Sequence, residues 1–207
     1  MSIILIKAMK TILVVALFCV ASVLSAADGY KVGDVAQDFR LKNVDGKMVS
    51  LANYSDAQGV IVVFTCNHCP YAKAYESRII ALHKAFAPKG YPVVAINPND
   101  PVAYPEDSFD NMVKRAKEKS YPFAYIFDET QEIAKTYGAT RTPHIFLLKK
   151  NANKHEVAYI GALDDNSESA DAVKEKYVET AITALVAGKT PTVTTTKAVG
   201  CGIKWKK

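Results

Sequence analysis

The chain reads as an α/β sandwich built on a mixed sheet, and two observations carry that reading. Apolar, β-branched runs alternate with helical patterns from residue 59 onward, and late in the series two strand-like runs are joined by a short polar loop. Strand–helix alternation feeds parallel strands through helical crossovers, whereas strands joined by a tight turn run antiparallel. A third observation locates chemistry: Cys66 and Cys69 stand where the first apolar run gives way to a helix.

The elements follow in order. Residues 39–54 hold Asp45-Gly46, a turn signal between two extended pieces. Residues 59–65, GVIVVFT, form a continuous apolar run suited to a buried central strand. Residues 70–87 place Tyr75, Ile79, Leu82 and Phe86 on one helical face, and Pro88-Lys89-Gly90 ends it. A strand is predicted within 91–100. A helix over 105–120 has Pro105 near its start and acids in its first turn. A strand over 121–128 and a short helix over 129–140, stopped by Gly138, come next. Strands over 142–150 and 155–163 flank the polar loop Asn151–Lys154. A long amphipathic helix is expected over 169–189, with Val173, Tyr177, Ile182 and Leu185 facing the core. Residues 190–207 are Thr-rich and lack helical periodicity. No internal repeat is visible.

The 207 residues imply one domain with a tail. At 49% hydrophobic and 23% charged residues the composition is that of an ordinary globular protein. A net charge of +5, with no basic run interleaved with aromatics, argues against nucleic acid as a partner. The N-terminus has a positive region at Lys7 and Lys10, an uncharged apolar stretch from Thr11 to Leu24, and small residues at Ser25–Ala27. That is the pattern of a secretory signal over residues 1–27, and the stretch is short for a membrane span. Expected organisation is therefore a leader, a domain over 28–189 and a tail over 190–207 docked on the domain. Expected location is secreted or periplasmic, with no stable span after cleavage. Cys19 leaves with the leader, so three cysteines remain, in a compartment where disulfides persist.

A cysteine that opens a helix feels the positive end of the helix dipole and unpaired backbone N–H groups, both of which favour thiolate. Thiolate is the attacking species in disulfide exchange. Cys66 is accordingly expected to be the nucleophile, with a lowered pKa, and Cys69 the more shielded thiol that completes exchange. His68, between them, would stabilise the thiolate if protonated. Two packed structural thiols, half of a zinc site, and a Cu(I) site completed by His144 or His155 are the alternatives. No second Cys-x-x-Cys exists to close a zinc site.

The sequence VVFTCNHCP followed by a helix, with YGATRTPHIFLL some way downstream, resembles the thioredoxin-fold redoxins of the peroxiredoxin-like branch. The resemblance spans roughly residues 30–187 and implies a three-layer sandwich, with helices on both faces of the sheet and an N-terminal β-hairpin extension. It implies that Thr142 and Pro143, through a cis bond, lie beside the cysteines and offer an edge for a substrate peptide; a trans proline at a strand start is the alternative. Arg141 either approaches Cys66 or is a solvated loop charge. Thioredoxins carry a buried Asp where Val60 stands here, which leaves the proton acceptor of Cys69 unassigned, with Glu76 a candidate by sequence proximity. The peroxidase motif is not matched, because Thr65 directly precedes Cys66.

Cys201, between Gly200 and Gly202, could be a packed thiol beneath Trp205, a disulfide partner, or a third redox thiol reaching Cys66 or Cys69. The function expected from all this is thiol–disulfide exchange with protein partners and a redox partner protein, without organic cofactor or metal. Thiol peroxidase chemistry at Cys66 is one alternative and copper binding by the cysteine pair and a histidine another.

Overall fold

A computed structural model describes residues 29–207; the expected leader lies outside the described residues. The elements are β1 (Arg40–Asn43), β2 (Met48–Ser50), β3 (Gly59–Phe64), α1 (Pro70–Phe86), β4 (Val93–Asn97), α2 (Phe109–Glu118), β5 (Ala124–Phe127), α3 (Glu132–Tyr137), β6 (Arg141–Thr142), β7 (His144–Asn151), β8 (Lys154–Gly161), α4 (Tyr177–Val186) and β9 (Cys201–Gly202). Seven strands form one sheet in the order β2-β1-β5-β4-β3-β7-β8. The centre, β3–β4–β5, is parallel; β7 and β8 are antiparallel on one side and the β1–β2 hairpin on the other. This is the mixed, thioredoxin-like sheet with an added hairpin that the sequence predicts.

The strand β3 shows why. All six of its residues are buried, so it cannot lie at a surface. Val60, Val62 and Phe64 face one core with Ile96, Tyr137 and Phe146. Ile61 and Val63 face the other, against Tyr75, Ile79, Leu82 and Phe86 of α1 and Val178 and Ile182 of α4. Strand alternation thus sends successive residues into opposite layers. Each buried aliphatic side chain contributes about 1.5–3 kcal/mol, so the sandwich clamps the end of β3, where the cysteines follow.

Three predicted helices are shorter in the structure; of the one expected over 129–140 only Glu132–Tyr137 is helical. Pro105–Asp107 form a 3-10 turn, and extended Ser108 (ψ 153°) restarts the chain at Phe109. The expected helix over 169–189 begins only at Tyr177, because Asp165 accepts the Lys174 amide (2.9 Å) and holds the preceding segment as a loop. The stop at Gly138 is as expected: it has a left-handed φ of 73°, and its Cα lies against Gly29, leaving no room for a side chain.

The tail runs back along the domain. Thr194 and Thr196 exchange backbone hydrogen bonds with Ile160 of β8 (3.0 Å each). The chain then reaches β6, where β9 pairs antiparallel with Arg141 opposite Gly202 and Thr142 opposite Cys201. Among the described residues no helix is long and apolar enough to cross a membrane.

Candidate active site

The site forms where β3 ends. Cys66 and Cys69 lie on the segment between β3 and α1, Cys69 is the N-cap of α1, and Pro70 takes its first position. Thr142, fully buried, approaches from the neighbouring edge; the Thr142–Pro143 bond is cis. The Thr142 hydroxyl lies 3.2 Å from Cys66 Sγ, and its carbonyl oxygen lies 3.2 Å from Cys69 Sγ. Cys201 belongs to the same contact cluster, and its sulfur is bonded to Cys69. Cys66 is the free cysteine among the described residues and is buried.

This pairing differs from the expected Cys66–Cys69 couple. The tail decides it: β9 lies on β6 in the register that sets Cys201 opposite Thr142, the residue whose carbonyl faces Cys69. Trp205, expected to pack over Cys201, is exposed, with the Lys135 ammonium 5.9 Å from its ring.

The expectation of a low Cys66 pKa is reversed in this state. Burial first, and the negative charge of Asp107 second, push the thiol up to about 11. The Thr142 hydroxyl and the backbone of Cys69 and His68 pull the other way without overcoming them. Desolvation of the charged form outweighs the helix start here. Arg141 does not offset it, since that side chain is exposed and donates to the Gly200 carbonyl (3.3 Å).

The carboxylate beside Cys66 is Asp107, which is fully buried and which the sequence reading passes over. Its Oδ1 accepts the amides of Asn67 (2.6 Å) and His68 (3.3 Å), and its Oδ2 accepts Asn99 Nδ2 (2.8 Å). His68 Nδ1 also lies 2.5 Å from Oδ2. A carboxylate only accepts, so Nδ1 carries a proton. The His68 ring stacks on Tyr104 with centroids 4.3 Å apart. Asn67 is held further by Tyr125, whose hydroxyl donates to its side chain (2.9 Å), and by the Glu106 carbonyl (2.8 Å). Cys66, His68 and Asp107 offer ligand-type atoms within 4.8 Å of one another. The carboxylate oxygens are already taken by N–H donors, so the cluster reads as a hydrogen-bonded wall of the thiol site.

The structure also places the other residues weighed in the sequence. Glu76 does not face Cys69; it receives Arg115 in a bidentate pair (2.6 and 2.7 Å) and the Tyr121 hydroxyl. His144 accepts the Thr140 amide at Nδ1 (3.3 Å), and His155 is buried beside the N-terminal arm, where Ala36 donates to its carbonyl (2.8 Å). Among the described residues the metal-type cluster at the site is Cys66, His68 and Asp107, which includes neither histidine. Val60, in place of a buried acid, is core.

A mixed sheet in which a cysteine-bearing strand–helix junction faces a cis Thr-Pro edge defines a thioredoxin-fold redoxin. The chain belongs to the AhpC/TSA family, whose profile matches residues 32–156. It is similar to the thiol-disulfide oxidoreductase ResA of Geobacillus thermodenitrificans, 24% identical over 126 residues, which is 61% of this chain and 68% of that protein. Among solved structures it is similar to an uncharacterized conserved protein from Geobacillus kaustophilus, with TM-score 0.79 and 38% identity over 85% of this chain and 93% of that one. A hypothetical protein from Sinorhizobium meliloti 1021 is similar too, at TM-score 0.79 and 31% identity over 86% of this chain and 96% of that one.

Proposed function

We propose that this chain is an extracytoplasmic thiol–disulfide oxidoreductase that exchanges disulfides with protein partners through Cys66 and Cys69. The observation that carries the reading is the convergence of three sulfurs on Thr142, at the end of β3, with one disulfide among them. The oxidoreductase relative agrees with it, and the leader pattern of residues 1–27 supports export.

In the reducing direction the Cys66 thiolate attacks one sulfur of a partner disulfide, and the other partner sulfur leaves as thiolate. The Cys69 thiolate then attacks Cys66 Sγ, a Cys66–Cys69 disulfide forms, and the second partner thiol is released. The oxidising direction is the same sequence reversed. Each residue has a task. Thr142 holds both sulfurs, by its hydroxyl at Cys66 and its carbonyl at Cys69. Cys69 as a thiol would donate to that carbonyl and stay aimed at Cys66. Asp107 fixes the Asn67–His68 backbone and so the direction of Cys66. The Arg141–Thr142 edge and Pro143 shape the surface where an extended peptide would lie.

The test is turnover with a protein disulfide such as insulin under a thiol reductant. Cys66→Ser is expected to abolish catalysed exchange, and Cys69→Ser to accumulate a mixed disulfide at Cys66. Exchange at the wild-type rate in Cys66→Ser would falsify the assignment.

A further inference from the structure

The tail does more than cover the site. Its approach to β6 is close enough that a Cβ on Gly200 would lie 2.3 Å from the Thr142 carbonyl oxygen. Only glycine allows Cys201 to be laid against Thr142 in this way. Beyond the cysteine, the tail is anchored by contacts that do not involve sulfur. Ile203 donates to the Thr140 carbonyl (3.2 Å) and is buried. Lys204 donates its amide to Asn99 Oδ1 (2.9 Å). The Lys204 carbonyl accepts from the Asp100 amide (2.9 Å) and from Gln131 Nε2 (2.7 Å). Gln131 Oε1 accepts the Lys206 amide (2.7 Å).

Gln131 is built for this. It is 1% exposed, and its backbone sits in the left-handed region at φ 64°, uncommon for a side chain of its kind. Its amide spans from the Pro98 carbonyl (2.6 Å) to the tail. A polar clamp of this kind survives opening of the disulfide, so the freed thiol stays at high effective concentration beside the other two sulfurs.

We propose that Cys201 is a third redox-active cysteine, a tethered thiol that exchanges places with Cys66 as the disulfide partner of Cys69. In the internal step Cys66 gives up its proton and its thiolate attacks Cys69 Sγ. The Cys69–Cys201 bond breaks, the Cys66–Cys69 bond forms, and Cys201 leaves as thiolate and takes up one proton. One disulfide and one thiol are present before and after, so no outside oxidant or reductant is needed. The high pKa of Cys66 in the tail-bonded form fits a resting state in which the nucleophile is held back. With Cys201 released, the Arg141–Thr142 edge loses the covalent hold of β9 and can take a partner strand. The proposal rests on the reading of Cys66 as the exchange nucleophile and names its internal partner.

The test uses the oxidised chain, held at pH 8, quenched with acid, unfolded in acid, and alkylated with N-ethylmaleimide. Mapping by mass spectrometry locates the free thiol among Cys66, Cys69 and Cys201 in each molecule. Expected is a mixture labelled at Cys66 and at Cys201, with a Cys66–Cys69 disulfide in the second species. In Cys66→Ser the Cys201 label is lost and Cys69–Cys201 persists; in Cys201→Ser the Cys66–Cys69 disulfide forms. Gln131→Ala, which loosens the anchor, is expected to raise the share labelled at Cys201 severalfold. Labelling confined to Cys66 in the wild type at every pH from about 7 to 9, around the ordinary thiol pKa, overturns the proposal. The insulin assay separates the two readings. Exchange with insulin but label only at Cys66 removes the relay alone, whereas label at Cys201 without exchange leaves the relay standing and removes the function.

Discussion

Two structures face each other across Cys66, and they are held in different ways. On one side the Asn67–His68 segment is fixed by Asp107, a buried carboxylate whose oxygens receive N–H groups from Asn67, His68 and Asn99. On the other side lies the tail, held by a two-residue strand, one disulfide and the Gln131–Asn99 clamp. The first wall is interior structure, in which removing the carboxylate strands buried donors. The second is a surface strap, half-buried at Cys201, whose polar contacts can be replaced by water. A thiol between a fixed wall and a removable one has one direction in which a partner can come. Asn99 joins the two: its amide donates to Asp107, and its oxygen accepts the tail.

The largest expected effect breaks the fixed wall. Asp107→Ala leaves the Asn67 and Asn99 amides without their acceptor in the interior and frees the partly exposed His68 ring. Unsatisfied buried groups cost about 1–3 kcal/mol each, so a loss of about 2–6 kcal/mol is expected in chemical denaturation. If the loss is no larger than that of a tail variant, the contrast between the walls is wrong.

How much of this was legible depends on the range of the contact. The central strand, the face of α1 and the stop at Gly138 are local patterns, and they could be read from apolar spacing and backbone chemistry. The Thr142–Pro143 edge could be placed because its resemblance to a known arrangement brings two distant motifs together. Asp107 could not, since Pro105-Glu106-Asp107 has the look of a solvated first turn. Only the 3-10 geometry turns the third residue inward. Glu76 looked like the nearer acid by sequence, but helix rotation carries it to Arg115 on α2. The partner of Cys201 depends on a strand register between segments far apart in sequence, and Gln131 gives no signal because its role is set by its left-handed backbone and by the tail it meets. Tail docking has a sign in the sequence, where Ile203 and Trp205 alternate with Lys204 and Lys206 in a strand-like pattern.

A second effect, close to the first in size, tests the buried start of β7 by pH. Burial lowers the His144 pKa to about 4, against an ordinary value of about 6.5. Between those values the unfolded chain binds a proton that the folded chain does not, so stability falls as the pH drops through this window. By pH 4 the loss approaches about 3 kcal/mol. His144→Gln is expected to flatten this part of the stability–pH curve; an unchanged slope would show that His144 is not the group responsible.

Smaller again is the removable wall. Gln131→Ala removes the donor to the Lys204 carbonyl and the acceptor for the Lys206 amide, both of which water can reach once the tail lifts. A cost of about 1 kcal/mol is expected in global unfolding. The tail itself should respond more than the domain, with faster proteolysis after Lys204 or Lys206 and altered Trp205 fluorescence, most clearly when the disulfide is reduced. Equal protection of the tail in variant and wild type would mean that the disulfide and β9 hold it without the clamp.

The smallest effect asks which wall sets the reactivity of Cys66. With Cys69→Ser and Cys201→Ser in place, Cys66 is the one thiol of the domain, and its alkylation rate reports its thiolate fraction. Burial is the larger cause of its pKa of about 11 and the Asp107 charge the second. The rate should therefore climb about tenfold per pH unit through neutral and mildly alkaline pH without levelling. Adding Asp107→Asn removes the repelling charge and keeps most of the wall's shape, so the curve should move to lower pH. Burial remains, so it should not reach the value of a free cysteine. A shift upward would mean that Asp107 acts chiefly by aiming the His68 backbone N–H at the thiolate, and the fixed wall would then be an activator of Cys66 instead of a restraint on it.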